Sequence, residues 1–181
     1  IVADEDVAAI IFDGGSTYLK WCEFAMRESL LEKGVIADEG DSFNQKEWRE
    51  RNQTFRDTLY RIQALPVNRV FFTFHLKDHK TYLSDGGGKK VLMKVGEKPE
   101  WVDGTQRNMS QQIFLARYTK EGDEASGVRA DPKLTAKEFV VRGTVEEMKG
   151  TGSEFVGTTH DVLQIKGGKV TWNGLPDMGL I

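Results

Sequence analysis

The feature that most constrains the fold is a short apolar run at residues 7–12, which ends on Asp13 and two glycines. A run of this length between turn residues is too short for a helix and predicts a strand buried on both faces. Gly14 and Gly15 let the backbone turn sharply into a helix. In open α/β sheets ligands bind beyond the carboxyl ends of the strands, so Asp13 is well placed to hold a cation. A helix cap or turn residue is the plainer explanation of the same aspartate.

The residues after the glycines predict a helix that runs to about Lys33. Ser16 or Thr17 can cap its N-terminus, and Gly34 is a plausible stop. The side chains available for a core face are Leu19, Phe24, Leu30 and Leu31.

A second helix, from about residue 43 to residue 64, has the clearest periodicity in the chain. Its apolar residues recur three, four and seven positions apart and therefore share one face: Trp48, Phe55, Leu59 and Ile62. Pro66 ends the helix, and residues 69–75 form a second buried strand that finishes on His75. A strand, two helices and a strand predict a parallel pair with crossover helices.

Beyond His75 the pattern changes to antiparallel β-structure. Residues 82–92 predict a hairpin with a glycine-rich tip, residues 94–112 are polar and irregular, and a loop at 120–133 joins strands at 113–118 and 138–145. A small hairpin at 162–172 closes the chain. We find no linker that separates two domains, so we predict one α/β domain over residues 1–181 whose second half is antiparallel β.

Composition bounds the class of protein. The 181 residues are 39% hydrophobic and 29% charged. The formal net charge of -3 argues against a protein that generally coats nucleic acid, and it leaves room for a local basic face. No apolar run reaches membrane-spanning length. One cysteine, Cys22, excludes an internal disulfide and a cysteine-rich metal site, which favours a cytoplasmic location. Since the first residue is Ile1, we expect the domain to be N-terminally incomplete.

Several catalytic motifs are missing from the sequence. There is no G-x-S-x-G, no H-E-x-x-H and no phosphate-binding G-x-x-x-x-G-K-[ST]; residues 86–90 come near the last, but no Ser or Thr follows the lysine. His75 and His79 lie four apart, too far along a strand to share one small ion. His160 follows two threonines and is expected in a surface turn.

The ordered set of segments nevertheless resembles one family. The segments are 9–17, the Trp48 helix, 64–67, 70–78, 113–118, 139–150 and 168–172. Together they resemble the C-terminal two-thirds of RecA-type P-loop ATPases, especially the small forms of phages and archaeal mobile elements associated with DNA recombination. The resemblance implies a RecA-like core and an Mg²⁺-dependent ATPase that oligomerises and acts on DNA, preferably single-stranded, in recombination or repair.

The resemblance also implies roles for particular residues. Asp13 matches the Walker B carboxylate that holds Mg²⁺, and Ser16 and Thr17 follow it in the cofactor-binding turn. His75 matches the polar sensor of the ATP γ-phosphate. Lys149 falls where relatives present a cation to the nucleotide of a neighbouring subunit, with Arg142 as the second candidate.

The same resemblance implies a DNA-facing loop after His75. Its basic residues are Lys77, Lys80, Lys89 and Lys90. Because the Walker A loop and the strand that bears the catalytic glutamate are missing, we expect the chain by itself to be inactive. Two alternatives stay open: a RecA-like binding or assembly module that has lost nucleotide hydrolysis, and an unrelated α/β domain with no enzymatic role.

Overall fold

The computed structural model describes residues 7, 9–38, 40–84, 86–121, 124–130, 138–149 and 152–174. The chain divides into two compact units, Ile1–Thr105 and Gln106–Ile181. Whether the two units make up one domain stays a prediction.

The first unit contains a short parallel pair. β1 (Ala9–Phe12) pairs in parallel with β2 (Arg69–Phe72), and Phe12 lies opposite Phe72. The predicted parallel arrangement is therefore confirmed. Burial on both faces is wrong, because Ile11 is 69% exposed and Phe71 is 44% exposed. Only the face that carries Phe12 and Phe72 packs, and there the Phe12 ring contacts the ring of Tyr18.

Helix α1 (Gly15–Glu32) follows β1 after a left-handed turn at Gly14, whose φ is 91°. No side chain caps its N-terminus, so the predicted cap by Ser16 or Thr17 is wrong. Its C-terminus ends as predicted. Gly34 has a φ of +65° and donates to the Leu31 carbonyl, while Val35 donates to the Leu30 carbonyl, which is a Schellman motif.

The buried face of α1 differs in part from the prediction. Leu19 and Leu30 are buried, but Phe24 is 64% exposed and takes no part in the core. Leu30 packs with Met26 and Ile36 at the end of the helix, and Leu31 lies at the edge of this cluster.

Helix α2 (Gln45–Gln63) begins at a capping box. The Asn44 side chain accepts from the Lys46 and Glu47 amides, and the Glu47 carboxylate accepts from the Asn44 amide. Phe55 is fully buried and Leu59 is 2% exposed, which confirms the predicted core face. The Phe55 ring lies 6.1 Å from that of Tyr18 and 6.5 Å from that of Phe74.

A long hairpin follows. β3 (Leu76–Ser84) pairs antiparallel with β4 (Lys90–Pro99), which confirms the predicted hairpin and extends it. Part of the segment predicted to be irregular therefore belongs to β4. A 3₁₀ helix, Thr105–Asn108, lies between β4 and the second unit's first strand.

The second unit is an antiparallel sheet with the strand order β6-β5-β7-β8-β9. Its strands are β5 (Gln111–Glu121), β6 (Glu124–Arg129), β7 (Phe139–Met148), β8 (Thr159–Lys166) and β9 (Lys169–Trp172). A 3₁₀ helix, Ser153–Phe155, precedes β8. The predicted loop at 120–133 is wrong where it contains β6. The closing hairpin is confirmed, and Gly167 and Gly168 both have positive φ, as its two-residue turn requires.

The fold class is mixed α/β with an antiparallel second half. The structure does not show a RecA-like core. Within the described ranges, parallel pairing is confined to β1 and β2, and the β3–β4 hairpin and the five-stranded sheet are separate sheets.

Candidate functional site

The candidate site lies where β1 and β2 end. Asp13 directly follows β1 and Thr73 directly follows β2, so the two residues continue the parallel register. The Thr73 hydroxyl donates a hydrogen bond to the Asp13 carboxylate and accepts one from the Gly14 amide at 2.9 Å. Asp13 is exposed, so its carboxylate faces solvent. The Thr73 hydroxyl nevertheless holds it in place.

The two glycines bring helix α1 close against the end of β2. The Gly15 amide donates to the Thr73 carbonyl at 2.9 Å, and a Cβ at position 15 would clash with the Phe74 ring. Gly14 needs its left-handed conformation. Glycine at both positions therefore lets the N-terminus of α1 begin beside Asp13, where the positive end of the helix dipole favours an anion, although the Gly14 and Gly15 amides themselves donate to Thr73.

Ser16 is 1% exposed and its hydroxyl has two partners. It accepts from the His75 amide at 2.9 Å and donates to the Glu100 carbonyl at 3.0 Å. The hydroxyl predicted to bind a cofactor is thus engaged inside the first unit. Thr17, the next residue in the first turn, is exposed.

His75 does not end β2, so that prediction is wrong. The strand ends at Phe72, and the residue beside Asp13 is Thr73, which the sequence analysis missed. The His75 side chain is exposed, two residues beyond Thr73 and directly before β3. Asp13 directly follows β1, whereas His75 lies three residues beyond the end of β2, so the two residues do not leave the parallel strands side by side.

The two predicted cations of the second unit both have partners there. Lys149 follows β7, and its ammonium group donates to the Gln106 carbonyl at 2.8 Å. The Arg142 guanidinium contacts the Asp161 carboxylate at 2.8 Å and lies over the Tyr118 ring. Arg142 is therefore fixed on the face of the sheet, whereas Lys149 is exposed at the end of a strand.

His160 lies in β8 and is partly buried, so the expected surface turn is wrong. Its Nε2 atom is 2.9 Å from the Thr158 hydroxyl.

The predicted DNA-binding lysines all belong to the β3–β4 hairpin. Directly paired residues share a face, so Lys80 lies on the same face as Lys94, and Lys90 lies on that face nearer the tip, opposite Ser84. Lys89 precedes β4 at the tip. Lys77 lies an odd number of residues from Lys80 and so points to the other face.

Tyr82 is a further residue of this lysine-bearing face that the sequence analysis did not single out. It pairs with Leu92 between the Lys80 and Lys90 positions, and it is 66% exposed. The alternation of side chains along β3, counted from Lys80, is the signal that identifies it.

An acidic cluster lies at the other end of the same face. The Lys94 ammonium group is 2.7 Å from the Asp78 carboxylate and 3.6 Å from that of Glu97, and Lys80 is 3.8 Å from Asp78. The hydrogen bond from Lys94 lowers the pKa of Asp78, and the same bond raises the pKa of Lys94. Positive charge is thus partly neutralised near the hairpin base.

Neither a metal-binding cluster nor a membrane-spanning helix is found among the described residues. No group of three or more His, Cys, Asp or Glu side chains there is arranged to hold a metal ion. None of the described helices is long and apolar enough to cross a membrane.

Comparison with known proteins adds no relative: no protein-family model, no curated protein and no solved structure matches this chain.

Proposed function

We propose that this chain is part of a RecA-like, Mg²⁺-dependent ATPase that acts on DNA in recombination or repair. The observation that carries the proposal is the position of Asp13, at the carboxyl end of a parallel strand and directly before the N-terminus of α1. A carboxylate in this position can hold Mg²⁺ through a water molecule bound to the ion, while the positive end of the α1 dipole favours phosphate. The Thr73 hydroxyl orients the carboxylate.

The remaining catalytic roles follow from the family resemblance. His75 senses the γ-phosphate, and Lys149, or secondly Arg142, provides a cation across a subunit interface of a homo-oligomer. Lys149 suits the role better, because it is exposed at a strand end and its carboxylate partner, Glu147, lies 3.8 Å away, whereas the Asp161 carboxylate holds Arg142 at 2.8 Å.

The test is Mg²⁺-dependent ATP binding, measured on the full-length protein. Asp13→Asn keeps the shape of the side chain and removes its charge. We expect it to weaken Mg²⁺-ATP binding at least tenfold without changing the fold, whereas the control Asp57→Asn, at an exposed position of α2, leaves binding unchanged. Equal affinities of wild type and Asp13→Asn would remove Asp13 from the metal site.

The DNA-binding part of the proposal depends on the face of the hairpin that carries Lys80, Tyr82 and Lys90, together with Lys89 at the tip. An exposed aromatic ring between lysines can stack on a base while the ammonium groups neutralise phosphates, which suits a single strand.

The lysines are tested by Lys89→Ala/Lys90→Ala together. If each of the two lysines contacts one phosphate, the plot of log association constant against log salt concentration for a single-stranded oligonucleotide becomes less steep in the double variant, by about 1.4. Lys33→Ala/Lys46→Ala, at the exposed C-cap of α1 and at an exposed position of α2, is the matched control. An unchanged affinity of the first double variant would discard the hairpin as the DNA site.

A second candidate is a RecA-like binding or assembly module without hydrolysis. The observation that favours it is the internal use of the Ser16 hydroxyl and the Lys149 ammonium group, which give both residues a structural role. Under this alternative, the protein binds DNA or its own copies, and Mg²⁺-ATP has no measurable affinity.

A further inference from the structure

The base of the β3–β4 hairpin is the place where β3 begins and β4 ends. His75 directly precedes β3 and Glu100 directly follows β4. The Glu100 amide donates to the His75 carbonyl at 2.7 Å, which closes the hairpin at its base. The base, defined by these two residues, joins the hairpin to the rest of the first unit.

One buried hydroxyl joins this base to the turn that carries Asp13. Ser16 lies three residues after Asp13 in the first turn of α1, and its oxygen bonds to both His75 and Glu100. At 2.9 and 3.0 Å, these bonds allow the base to shift by only about 0.5 Å before one of them is lost. Asp13, Gly14 and Gly15 of the same turn all bond to Thr73, which lies before the base.

The surroundings of Ser16 make the connection stiff. The side chain is 1% exposed, so water cannot replace a lost partner. The ring of Phe74, the residue directly before His75, packs between those of Phe55 and Trp101, at 6.5 and 5.1 Å. A displacement of the Asp13 turn therefore passes to the hairpin rather than into a gap.

We propose that Ser16 is a positioning residue that couples the ligand state of the Asp13 turn to the β3–β4 hairpin. The proposal rests on the proposed function, in which Mg²⁺ and nucleotide bind at Asp13 and a nucleic acid strand binds the hairpin. When the turn moves on binding the phosphate groups, the hydroxyl moves both strands of the hairpin together. Binding at one end then changes affinity at the other, and the coupling is reciprocal.

The first experiment examines the link without ligand. Amide hydrogen exchange of His75 and Glu100 is measured in the full chain for wild type, Ser16→Ala and Ser16→Thr. Ser16→Ala is expected to speed His75 exchange roughly five- to tenfold, since that amide loses its acceptor. Ser16→Thr keeps the hydroxyl and is expected to restore slow exchange.

Ser29→Ala, the same substitution on the same helix, is the matched control and leaves the His75 rate unchanged. If Ser16→Ala does not fold, Ser16→Cys, whose thiol fills the space but bonds weakly, gives the same comparison. An unchanged His75 rate in the folded variant would overturn the proposal.

The second experiment measures coupling itself. The affinity for a single-stranded thymidine oligonucleotide is measured with and without Mg²⁺-ATP, and the ratio of the two affinities is compared between variants. Wild type and Ser16→Thr are expected to give a ratio of at least fivefold. Ser16→Ala is expected to give a ratio near one, because the hydroxyl that links the Asp13 turn to the hairpin base is removed. A purely structural role would not produce this pattern.

The outcomes separate the coupling from the function on which it rests. A Ser16→Ala protein that keeps the wild-type ratio would overturn the coupling. A wild type that binds both ligands with a ratio of one would overturn the coupling and leave the proposed function standing. If wild type binds no Mg²⁺-ATP, both fall.

Discussion

The burial of Phe55 leads to a quantitative prediction about the support beneath the candidate site. Phe55 is fully buried, and its ring contacts that of Phe74, which lies between Thr73 and His75. A Phe side chain buries roughly 200 Å², which corresponds to about 5 kcal/mol at 25 cal/mol per Å² and agrees with the range of about 3–5 kcal/mol for Phe→Ala in cores. We expect Phe55→Ala to lower the free energy of unfolding of the first unit by about 4 kcal/mol.

Phe24 provides the matched control, because it is the same residue type on a helix of the same unit. It is 64% exposed, so only about 70 Å² is buried, worth about 1.8 kcal/mol. Alanine is also the better helix former by about 0.5 kcal/mol. Phe24→Ala is therefore expected to cost about 1.3 kcal/mol, roughly 3 kcal/mol less than Phe55→Ala.

Urea unfolding followed by circular dichroism at 222 nm measures this difference, since both described α-helices belong to the first unit. With an m-value of about 1–3 kcal/mol/M, the two midpoints should differ by at least about 1 M. Phe55→Leu, expected to lose about 1–2 kcal/mol, gives a second point if Phe55→Ala does not fold. Losses for the two alanine variants that agree within about 1 kcal/mol would refute the assignment of Phe55 to the core.

Three further predictions concern other elements. Asn44→Ala removes the cap of α2 and should cost about 1 kcal/mol in urea unfolding, while Asn44→Ser retains most of it; equal losses would argue against the capping box. In an NMR pH titration, the pKa of Asp78 should lie below about 3.9 and return towards it in Lys94→Met. Because the pKa of Asp78 is lowered in the folded protein, the stability that this pair contributes is present above about pH 4 and is lost as the pH falls through the folded pKa. A pKa of Asp78 that Lys94→Met leaves unchanged would contradict this prediction. Gly15→Ala should destabilise the first unit by about 1–3 kcal/mol through the clash with Phe74, and an unchanged midpoint would show that the ring can move aside.

Local patterns predicted the helices well. The period of the apolar residues placed Phe55 and Leu59 in the core, because the face of a helix depends only on residues three and four positions apart. Gly34 predicted the end of α1 for a similar reason, since the Schellman motif lies within six residues.

Long-range contacts account for most of what the sequence did not reveal. Ser16 was predicted to cap α1, but its hydroxyl donates to the carbonyl of Glu100, 84 residues further along the chain. Thr73 could be recognised only once the register of β1 with β2 was known. Ile11 and Phe71 are apolar yet exposed, so the composition of a strand does not decide whether both of its faces are covered.

The closed base of the β3–β4 hairpin has a consequence for protein engineering. Because the Glu100 amide and the Ser16 hydroxyl hold the two strands at the hairpin base, the register of the strands does not depend on the tip. Gly86 and Gly88 have positive φ, and a Cβ there would meet nothing within 4 Å. Extra residues grafted between them would extend into open space, so this turn is a suitable place for an epitope or a fluorescent label.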